Sequence, residues 1–286
     1  MKGVEEMKRK VYMEITNVCN LSCSFCPGTK REKGRMTLDD FRLYAQSVKG
    51  FADYLYFHLM GEPLLHPDLC DMIRYARDLG MKPIITTNGT LLSRRGDEIL
   101  DAGIHKVSIS LHSFEANDGV DFSSYINDCI SFAKKAGERG SFCALRLWNL
   151  QGGRNERNEE ILSLLHTSFP EEWKKNRSGY CIGQGVYLEW GRYFDWPDPE
   201  ASDLGENCFC FGLRDQIGVL TDGRVVPCCM DKDGDLVLGN LREQSLDEIL
   251  SSSRAKAIYD GFTSHRAVES LCLRCGFAHD LKSSEK

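Results

Sequence analysis

The sequence predicts an α/β fold, in which an open, partial (β/α)6 TIM-like barrel precedes a small C-terminal unit made of a β-hairpin and a helix. Strand-like and helix-like segments alternate from residue 11 to about residue 191. Such β–α repetition implies parallel strands that are joined by right-handed crossovers. Only six repeats are present, whereas a closed barrel needs eight, so we expect a sheet that does not close.

The predicted strands are short apolar or β-branched runs bounded by turn residues. They cover residues 11–15, 54–59, 83–87, 106–111, 142–147 and 186–190. Helices are predicted between them, because Thr37 resembles an N-cap that precedes two acidic residues and apolar residues recur at helical spacing from Leu69 to Leu79. Two further helical segments, 97–102 and 125–136, each end at a glycine.

Composition restricts the class of protein. The chain has 286 residues, 42% of them hydrophobic, and its 42 acidic residues outnumber its 36 basic ones, which disfavours a nucleic-acid partner. The start has no apolar core of a secretory signal, and no run of 18 apolar residues predicts a membrane span. Thirteen cysteines without such a signal predict a reducing, cytoplasmic location, where clustered cysteines more often bind metal than form disulfides.

Three cysteines follow the first predicted strand in the sequence Cys19-Asn-Leu-Ser-Cys23-Ser-Phe-Cys26. Three thiolates on one loop can hold an iron–sulfur cube, which normally takes four cysteine ligands. One iron then has no protein ligand and is open to a substrate or cofactor. Because ligands gather at the carboxyl ends of parallel strands, we expect the cluster at that edge of the sheet.

A second set of cysteines lies in the tail, which we divide from the barrel (1–191) by a polar connector (192–207). Asp222-Gly223 between apolar runs predicts a hairpin, and Ser245 with Glu248 forms a capping box that predicts a helix to about Tyr259. The candidate ligands in this unit (208–286) are Cys210, Cys228, Cys272 and Cys275. Four cysteines suit either a fully ligated iron–sulfur cluster or a zinc ion, and Cys208 or Cys229 is an alternative ligand.

Four motifs, in order, resemble those of the radical S-adenosylmethionine (SAM) enzymes. They are CxxxCxxC with Phe25 before its third cysteine, Met60-Gly61-Glu62-Pro63, Thr87-Asn88-Gly89 and Ser108-Ile-Ser110-Leu-His112. The second departs from the family's GGE-type motif, since Met60 replaces its first glycine. The tail resembles the auxiliary-cluster domains of this superfamily, of the SPASM and shorter twitch types, and its cysteines suffice for one auxiliary [4Fe-4S] cluster.

The resemblance implies that SAM binds the open iron of a [4Fe-4S] cluster and is cleaved reductively to a 5′-deoxyadenosyl radical, which removes a hydrogen atom from the substrate. It assigns Gly61 and Glu62 to the SAM amino group, Phe25 to the adenine, and Ser110 to the carboxylate or ribose. Further candidates for contact with the cofactor are Asn88, Arg146 and Asn149; Arg146 is equally suited to a structural ion pair.

The auxiliary cluster would accept the electron that remains on the substrate, which suits a two-electron oxidation or cross-linking of a peptide or protein residue. No leader-binding domain precedes residue 11, which slightly disfavours a ribosomal peptide. A flavodoxin- or ferredoxin-type donor is the expected electron partner. Candidate catalytic residues at strand ends are Glu189, as proton acceptor, His58 and His112. The alternatives are a dehydrogenase of a small molecule such as an aminocyclitol, and a non-catalytic iron–sulfur or zinc-binding adaptor.

Overall fold

A computed structural model describes residues 9–115, 117, 119, 121–150 and 154–283, so the charged start of the chain lies outside the described part. Within it, eleven strands form one sheet in the order β11-β10-β9-β1-β2-β3-β4-β5-β8-β7-β6. The strands are β1 Lys10–Met13, β2 Tyr54–Tyr56, β3 Lys82–Thr87, β4 Lys106–Ser110, β5 Phe142–Leu150, β6 Lys174–Lys175, β7 Gly179–Gly183, β8 Val186–Arg192, β9 Gln216–Val219, β10 Arg224–Val226 and β11 Gly239–Asn240. The helices are α1 Leu38–Ser47, α2 Leu69–Asp78, α3 Leu92–Asp101, α4 Phe122–Glu138, α5 Asn158–Ser168, α6 Leu246–Ser251, α7 Ser253–Thr263 and α8 Gly276–Ser283.

The predicted six-stranded parallel core is confirmed. Strands β1 to β5 and then β8 pair in parallel, each with its neighbour in that order, and the sheet does not close. Residues alternate between its two faces: Val11, Leu55 and Val107 are fully buried in the core, whereas Tyr12 and Tyr56 are half-buried. The tyrosines point into the barrel interior, where their rings stack.

Several elements differ from the sequence-based prediction. Strand β2 ends at Tyr56 rather than at residue 59, because the chain turns there toward a short 3-10 turn, Pro63–Leu65. Helix α5 and the antiparallel strands β6 and β7 were not predicted. The tail helix is interrupted at Ser252, whose side chain accepts a hydrogen bond from the Ala255 backbone and starts a second helix, α7.

The predicted tail hairpin is present as β9 and β10, which pair antiparallel on either side of Gly223. Gly223 has a positive φ of 85°, a backbone conformation that favours glycine. Strand β9 also pairs in parallel with β1, with Met13 opposite Val219. The tail therefore extends the barrel sheet, and the domain boundaries at 191 and 207 stay a prediction. No helix in the described part of the chain is long and apolar enough to cross a membrane.

Candidate active site at the carboxyl edge of the sheet

The first cysteine loop leaves β1 at the carboxyl edge of the sheet. Cys19 and Cys26 are exposed and Cys23 is half-buried, and the loop is tightened by a hydrogen bond from the Cys26 backbone N–H to the Cys23 carbonyl (3.0 Å). Two side-chain amides approach the sulfurs: Asn117 Nδ2 lies 3.2 Å from Cys23 Sγ, and Asn88 Nδ2 lies 3.9 Å from Cys19 Sγ. Amide donors stabilise thiolate charge, so the loop suits cysteines that bind a metal cluster.

Gly61 packs against the start of this loop. Its φ is +78°, and a Cβ atom there would lie 2.4 Å from the Thr16 carbonyl oxygen. The next residue, Glu62, donates its backbone N–H to the Val18 carbonyl (2.9 Å). The Gly61-Glu62 motif is therefore fastened to the loop that carries the cysteines, and only glycine fits its first position.

The Glu62 carboxylate is buried and accepts three hydrogen bonds. The donors are the Asn88 N–H (2.8 Å), the Thr87 hydroxyl (2.8 Å) and the Leu64 N–H (3.0 Å). Burial outweighs these donors and raises the pKa of Glu62 to about 7. A buried carboxylate of this kind is stabilised in its charged form by any cation that binds beside it.

These residues surround a cleft that opens to solvent. Its walls are Cys23, Phe25, Cys26, His58, Leu59, Met60, Gly61, Glu62, Thr86, Thr87, Asn88, Ser110, Ser113 and Trp196. The cleft thus brings together the predicted residues Phe25, Gly61, Glu62, Asn88 and Ser110. Trp196, which belongs to the connector, also forms part of the cleft wall.

Below the cleft, the barrel interior holds a cluster of aromatic side chains. The rings of Tyr12 and Tyr56 stack with centroids 4.7 Å apart, and His58 contacts both, at 5.6 and 5.7 Å. Burial lowers the pKa of His58 to about 3, with a further contribution from Arg146, so His58 is neutral. Its Nδ1 atom is buried and has no hydrogen-bond partner among the described residues, and it is available to a bound molecule.

Two other predicted residues, Arg146 and Glu189, form an ion pair. Arg146 Nε lies 3.0 Å from Glu189 Oε2, and Lys106 Nζ lies 2.8 Å from Glu189 Oε1. Burial opposes ionisation of Glu189, but these two cations together lower its pKa. Both carboxylate oxygens are therefore engaged with cations, which does not favour Glu189 as a proton acceptor.

The remaining candidates, His112 and Asn149, are held by other parts of the chain. His112 lies under Phe25 with ring centroids 5.0 Å apart, and its Nδ1 is 3.2 Å from the Arg146 carbonyl and 3.3 Å from the Trp148 nitrogen. Burial lowers the pKa of His112 to about 4. The Asn149 amide bonds Asn158 and the Arg154 carbonyl and is not among the residues of the cleft wall.

The four predicted tail ligands line a second cavity. Its walls are Pro197, Cys210, Phe211, Gln216, Cys228, Met230, Asp231, Leu236, Phe262, Leu271, Cys272, Cys275, Phe277 and Ala278. Burial raises the pKa of Cys210 to about 12, and burial together with the neighbouring thiols raises that of Cys228 well above its ordinary value. Thiols that resist ionisation this strongly become ligands when a metal centre supplies the positive charge.

The two alternative ligands, Cys208 and Cys229, are not among the residues that line this cavity. The sulfur of Cys229 accepts a hydrogen bond from the Tyr12 hydroxyl. Cys208 is buried, and its backbone N–H donates to the His265 carbonyl. The cavity therefore favours the four cysteines chosen from the sequence.

A cluster fits these cysteines better than a single ion does. No three His, Cys, Asp or Glu side chains in the described ranges converge so as to hold one metal ion. A tetrahedral zinc ion requires sulfurs about 3.8 Å apart, given Zn–S bonds of about 2.3 Å, whereas a cube spreads its cysteines over four irons. The zinc alternative is therefore the poorer fit to the described side chains.

Comparison with protein families agrees with this geometry. The model of the radical SAM superfamily matches residues 13–167, more than half of the chain, and the SPASM model, an iron-sulfur cluster-binding domain, matches residues 208–276. The chain belongs to the radical SAM superfamily and is an enzyme. It carries a SPASM domain in its tail, and its cofactors are SAM and two iron–sulfur clusters.

Curated relatives match less than half of the chain. A probable GTP 3′,8-cyclase of Sulfolobus acidocaldarius is 35% identical over 133 residues, which are 44% of this chain and 42% of the relative. An AdoMet-dependent heme synthase of Methanosarcina barkeri is 30% identical over 126 residues, 43% of this chain and 36% of the relative. The chain thus spans less than half the length of these relatives.

Solved structures share the fold over nearly the whole chain. BtrN in complex with AdoMet and 2-DOIA matches with a TM-score of 0.63 and 20% identity, over 94% of this chain and 93% of BtrN. Streptococcus suis SuiB bound to the precursor peptide SuiA matches with a TM-score of 0.64 and 17% identity, over 95% of this chain and 70% of SuiB. At these identities the likeness concerns the fold alone.

Proposed function

We propose that this enzyme uses SAM to oxidise or cross-link a residue of a peptide or protein, with the tail cluster as the electron acceptor. One observation supports the proposal: a series of side-chain contacts in the barrel interior runs from the first cysteine site toward the second. His58 lines the cleft beside the first cysteine loop and contacts Tyr12, which bonds Cys229 next to the cavity-lining Cys228. A substrate in this interior would have an electron acceptor on its far side.

In this proposal Cys19, Cys23 and Cys26 hold the cluster that binds SAM. Gly61 and Glu62 receive the SAM ammonium group, because the Glu62 carboxylate lies in the cleft wall and gains a favourable charge partner there. Bound SAM would supply a carbon radical that is able to remove a hydrogen atom from the substrate.

Other residues of the cleft serve orientation and exclusion of water. Phe25 offers a flat apolar face to the adenine ring, and Ser110 offers a hydroxyl to the ribose or carboxylate. Trp196, which also lines the cleft, limits the access of water to a reactive intermediate. Asn88 holds Glu62 and the cysteine loop together, and we assign it an indirect role in binding SAM.

We infer that the substrate contacts the polar groups beneath the cleft. His58 is neutral and has an unused ring nitrogen, so it can orient a hydroxyl or amide group without adding charge. The Arg146–Glu189 ion pair lies near His58 in the barrel interior. A flavodoxin- or ferredoxin-type donor and a cytoplasmic location belong to this proposal.

A second candidate is the dehydrogenation of a small polyol or aminocyclitol. It is favoured by the match to BtrN, which extends over 93% of that protein, whereas the match to SuiB covers 70% of SuiB. The same SAM cleft and auxiliary cavity serve either candidate, and only the molecule in the barrel interior differs.

The proposal is tested with anaerobically reconstituted protein, which we expect to contain about eight irons per chain, four in each cube. Reduced protein should release 5′-deoxyadenosine from SAM, and the triple variant Cys19→Ala/Cys23→Ala/Cys26→Ala should release none while keeping about four irons. Deuterated peptides and deuterated aminocyclitols are then compared, because deuterium appears in 5′-deoxyadenosine only from the true class of substrate. A wild-type protein that holds eight irons and leaves SAM intact under every reductant would refute the proposal.

A further inference from the structure

The loop that follows the first cysteine motif is attached to the tail. The Asp233 carboxylate accepts hydrogen bonds from the Thr29 hydroxyl and the Lys30 N–H, both 2.7 Å. Arg31 donates from Nε to the Lys232 carbonyl at 2.8 Å. Residues 29–31 lie only a few positions after Cys26, whereas their partners are about 200 residues away in the sequence.

Those partners belong to a loop that forms part of the four-cysteine cavity. Met230, Asp231 and Leu236 line the cavity, and the loop between them is shaped by one buried carboxylate. Asp231 accepts hydrogen bonds from the backbone N–H groups of Gly234, Asp235 and Leu236 (3.1, 2.9 and 2.9 Å). Lys232 and Asp233 lie between these wall residues in the sequence. We therefore expect a change in the position of the cavity wall to shift Lys232 and Asp233 as well.

Arg31 is also connected, through Glu14, to the Met60-Gly61-Glu62 motif that we assign to SAM binding. Arg31 Nη2 lies 2.7 Å from Glu14 Oε1, and the side chains of Arg31 and Glu14 are 10% and 0% exposed. The same Glu14 oxygen accepts the Met60 N–H at 3.2 Å, and Met60 precedes Gly61. The other oxygen, Glu14 Oε2, is buried and has no hydrogen-bond partner in the described part of the chain, so Glu14 depends on Arg31 for its charge partner.

We propose that Arg31 is a positioning residue through which occupancy of the tail cavity strengthens the binding of SAM. The path runs from the 230–236 loop through Arg31 to Glu14 and the Met60 backbone. It gives SAM full affinity only when the electron acceptor is in place, which limits cleavage of SAM without oxidation of substrate. The inference rests on the proposed function, because it assumes SAM at Gly61-Glu62.

Coupling between two sites is reciprocal, and both directions can be measured on the anaerobic holoenzyme. The dissociation constant of SAM is measured by equilibrium dialysis, together with the change that SAM causes in the EPR spectrum of the reduced first cluster. Loss of iron from the tail cluster to a chelator is measured with and without SAM. The proteins are wild type, Cys272→Ala, Arg31→Lys and the double variant, and Arg74→Lys is the control, since Arg74 is in an exposed pair with Asp71.

We expect Cys272→Ala and Arg31→Lys each to weaken SAM binding about tenfold, within the usual range of coupling between sites. The double variant should be no weaker than either single variant, because both changes break one path. SAM should slow the loss of tail iron from wild type and from Arg74→Lys, but not from Arg31→Lys. Lysine keeps a positive charge beside Glu14. It lacks the planar, forked guanidinium with which arginine donates to both the Glu14 carboxylate and the Lys232 carbonyl.

The inference would be overturned if the losses of SAM affinity in the two single variants multiplied in the double variant, or if Cys272→Ala bound SAM as tightly as wild type does. Either result would leave the proposed function intact. Wild-type holoenzyme that binds no SAM would overturn the proposed function itself. If Arg31→Lys loses iron from both sites, Asp233→Asn takes its place, because this change weakens only the tail side of the path. Asp233→Asn with unchanged SAM affinity and unchanged protection of the tail iron would then count against the inference.

Discussion

Tyr12 donates its hydroxyl hydrogen to the sulfur of Cys229, while the preceding residue, Cys228, lines the four-cysteine cavity. Of these two adjacent cysteines, only Cys228 is among the residues that line the cavity. We expect Cys228→Ala to lower the iron content by about four atoms per chain and Cys229→Ala to leave it unchanged. Iron and sulfide assays check this, and loss of tail iron in Cys229→Ala would show that Cys229 is the ligand.

Glu62 makes SAM binding depend on pH. Its pKa in the free enzyme is raised to about 7 by burial, so the carboxyl group holds a proton below that pH and cannot pair with the SAM ammonium as an anion. We expect the affinity for SAM to fall by up to about tenfold per pH unit as the pH drops below 7, and to level off above it.

The measurement for Glu62 is equilibrium dialysis of SAM between pH 5.5 and 8.5. Glu62→Gln is the matched variant, because it keeps the shape of the side chain and removes the titration. Its binding should be weak and flat across this range. A sloping profile in Glu62→Gln would assign the pH dependence to another group.

Gly61→Ala should destabilise the protein. The substitution places a methyl group 2.4 Å from the Thr16 carbonyl oxygen at a φ of +78°, and backbone would have to move. We expect a loss of about 2 kcal/mol or more in the free energy of unfolding, together with weaker SAM binding. Gly34→Ala is the control, since a Cβ atom there meets nothing within 4 Å and no positive φ is required. Equal thermal stability of the two variants would contradict the prediction.

Glu189→Gln should destabilise the protein, because it removes the negative charge that balances two cations in the barrel interior. Glu189 holds Arg146 at 3.0 Å and Lys106 at 2.8 Å, so its neutralisation leaves two cations facing each other. We expect a loss of about 1–3 kcal/mol in unfolding free energy, and the double variant Glu189→Gln/Lys106→Met should recover part of it. Glu98→Gln serves as the control, because Glu98 is exposed and pairs with Arg95, a setting worth about 0–1 kcal/mol.

Sequence patterns located the core of the fold because its parallel strands are short apolar runs separated by turns. Strands β1 to β5 and β8 all appear where such runs were found. Strands β6 and β7 were missed: β6 is Lys174–Lys175, two exposed charged residues, and β7 includes two glycines. The pairing of β6 with β7 and of β7 with β8 depends on hydrogen bonds between backbones, which leave no hydrophobic pattern in the sequence.

The cysteine ligands and the SAM motifs were found because their spacing is a local property of the chain. The partners of Arg146 and Glu189 were not, since they come from three different strands that meet only in the folded sheet. The role of Trp196 in the cleft wall was missed for the same reason. Arg31 showed no signal at all, because its two partners, Glu14 and Lys232, are separated by more than 200 residues.

The pairing of β9 with β1 gives the tail a protective role as well. Backbone hydrogen bonds from Lys10 to Asp215 and from Glu14 to Val219 (2.9 and 2.8 Å) occupy the outer edge of β1. If the tail were removed by proteolysis or truncation, this apolar strand would become an open edge, ready to pair with another chain. Fragments that end before β9 should therefore aggregate rather than remain in solution as isolated barrels. Because such fragments contain the first cysteine loop, that loop would aggregate with them.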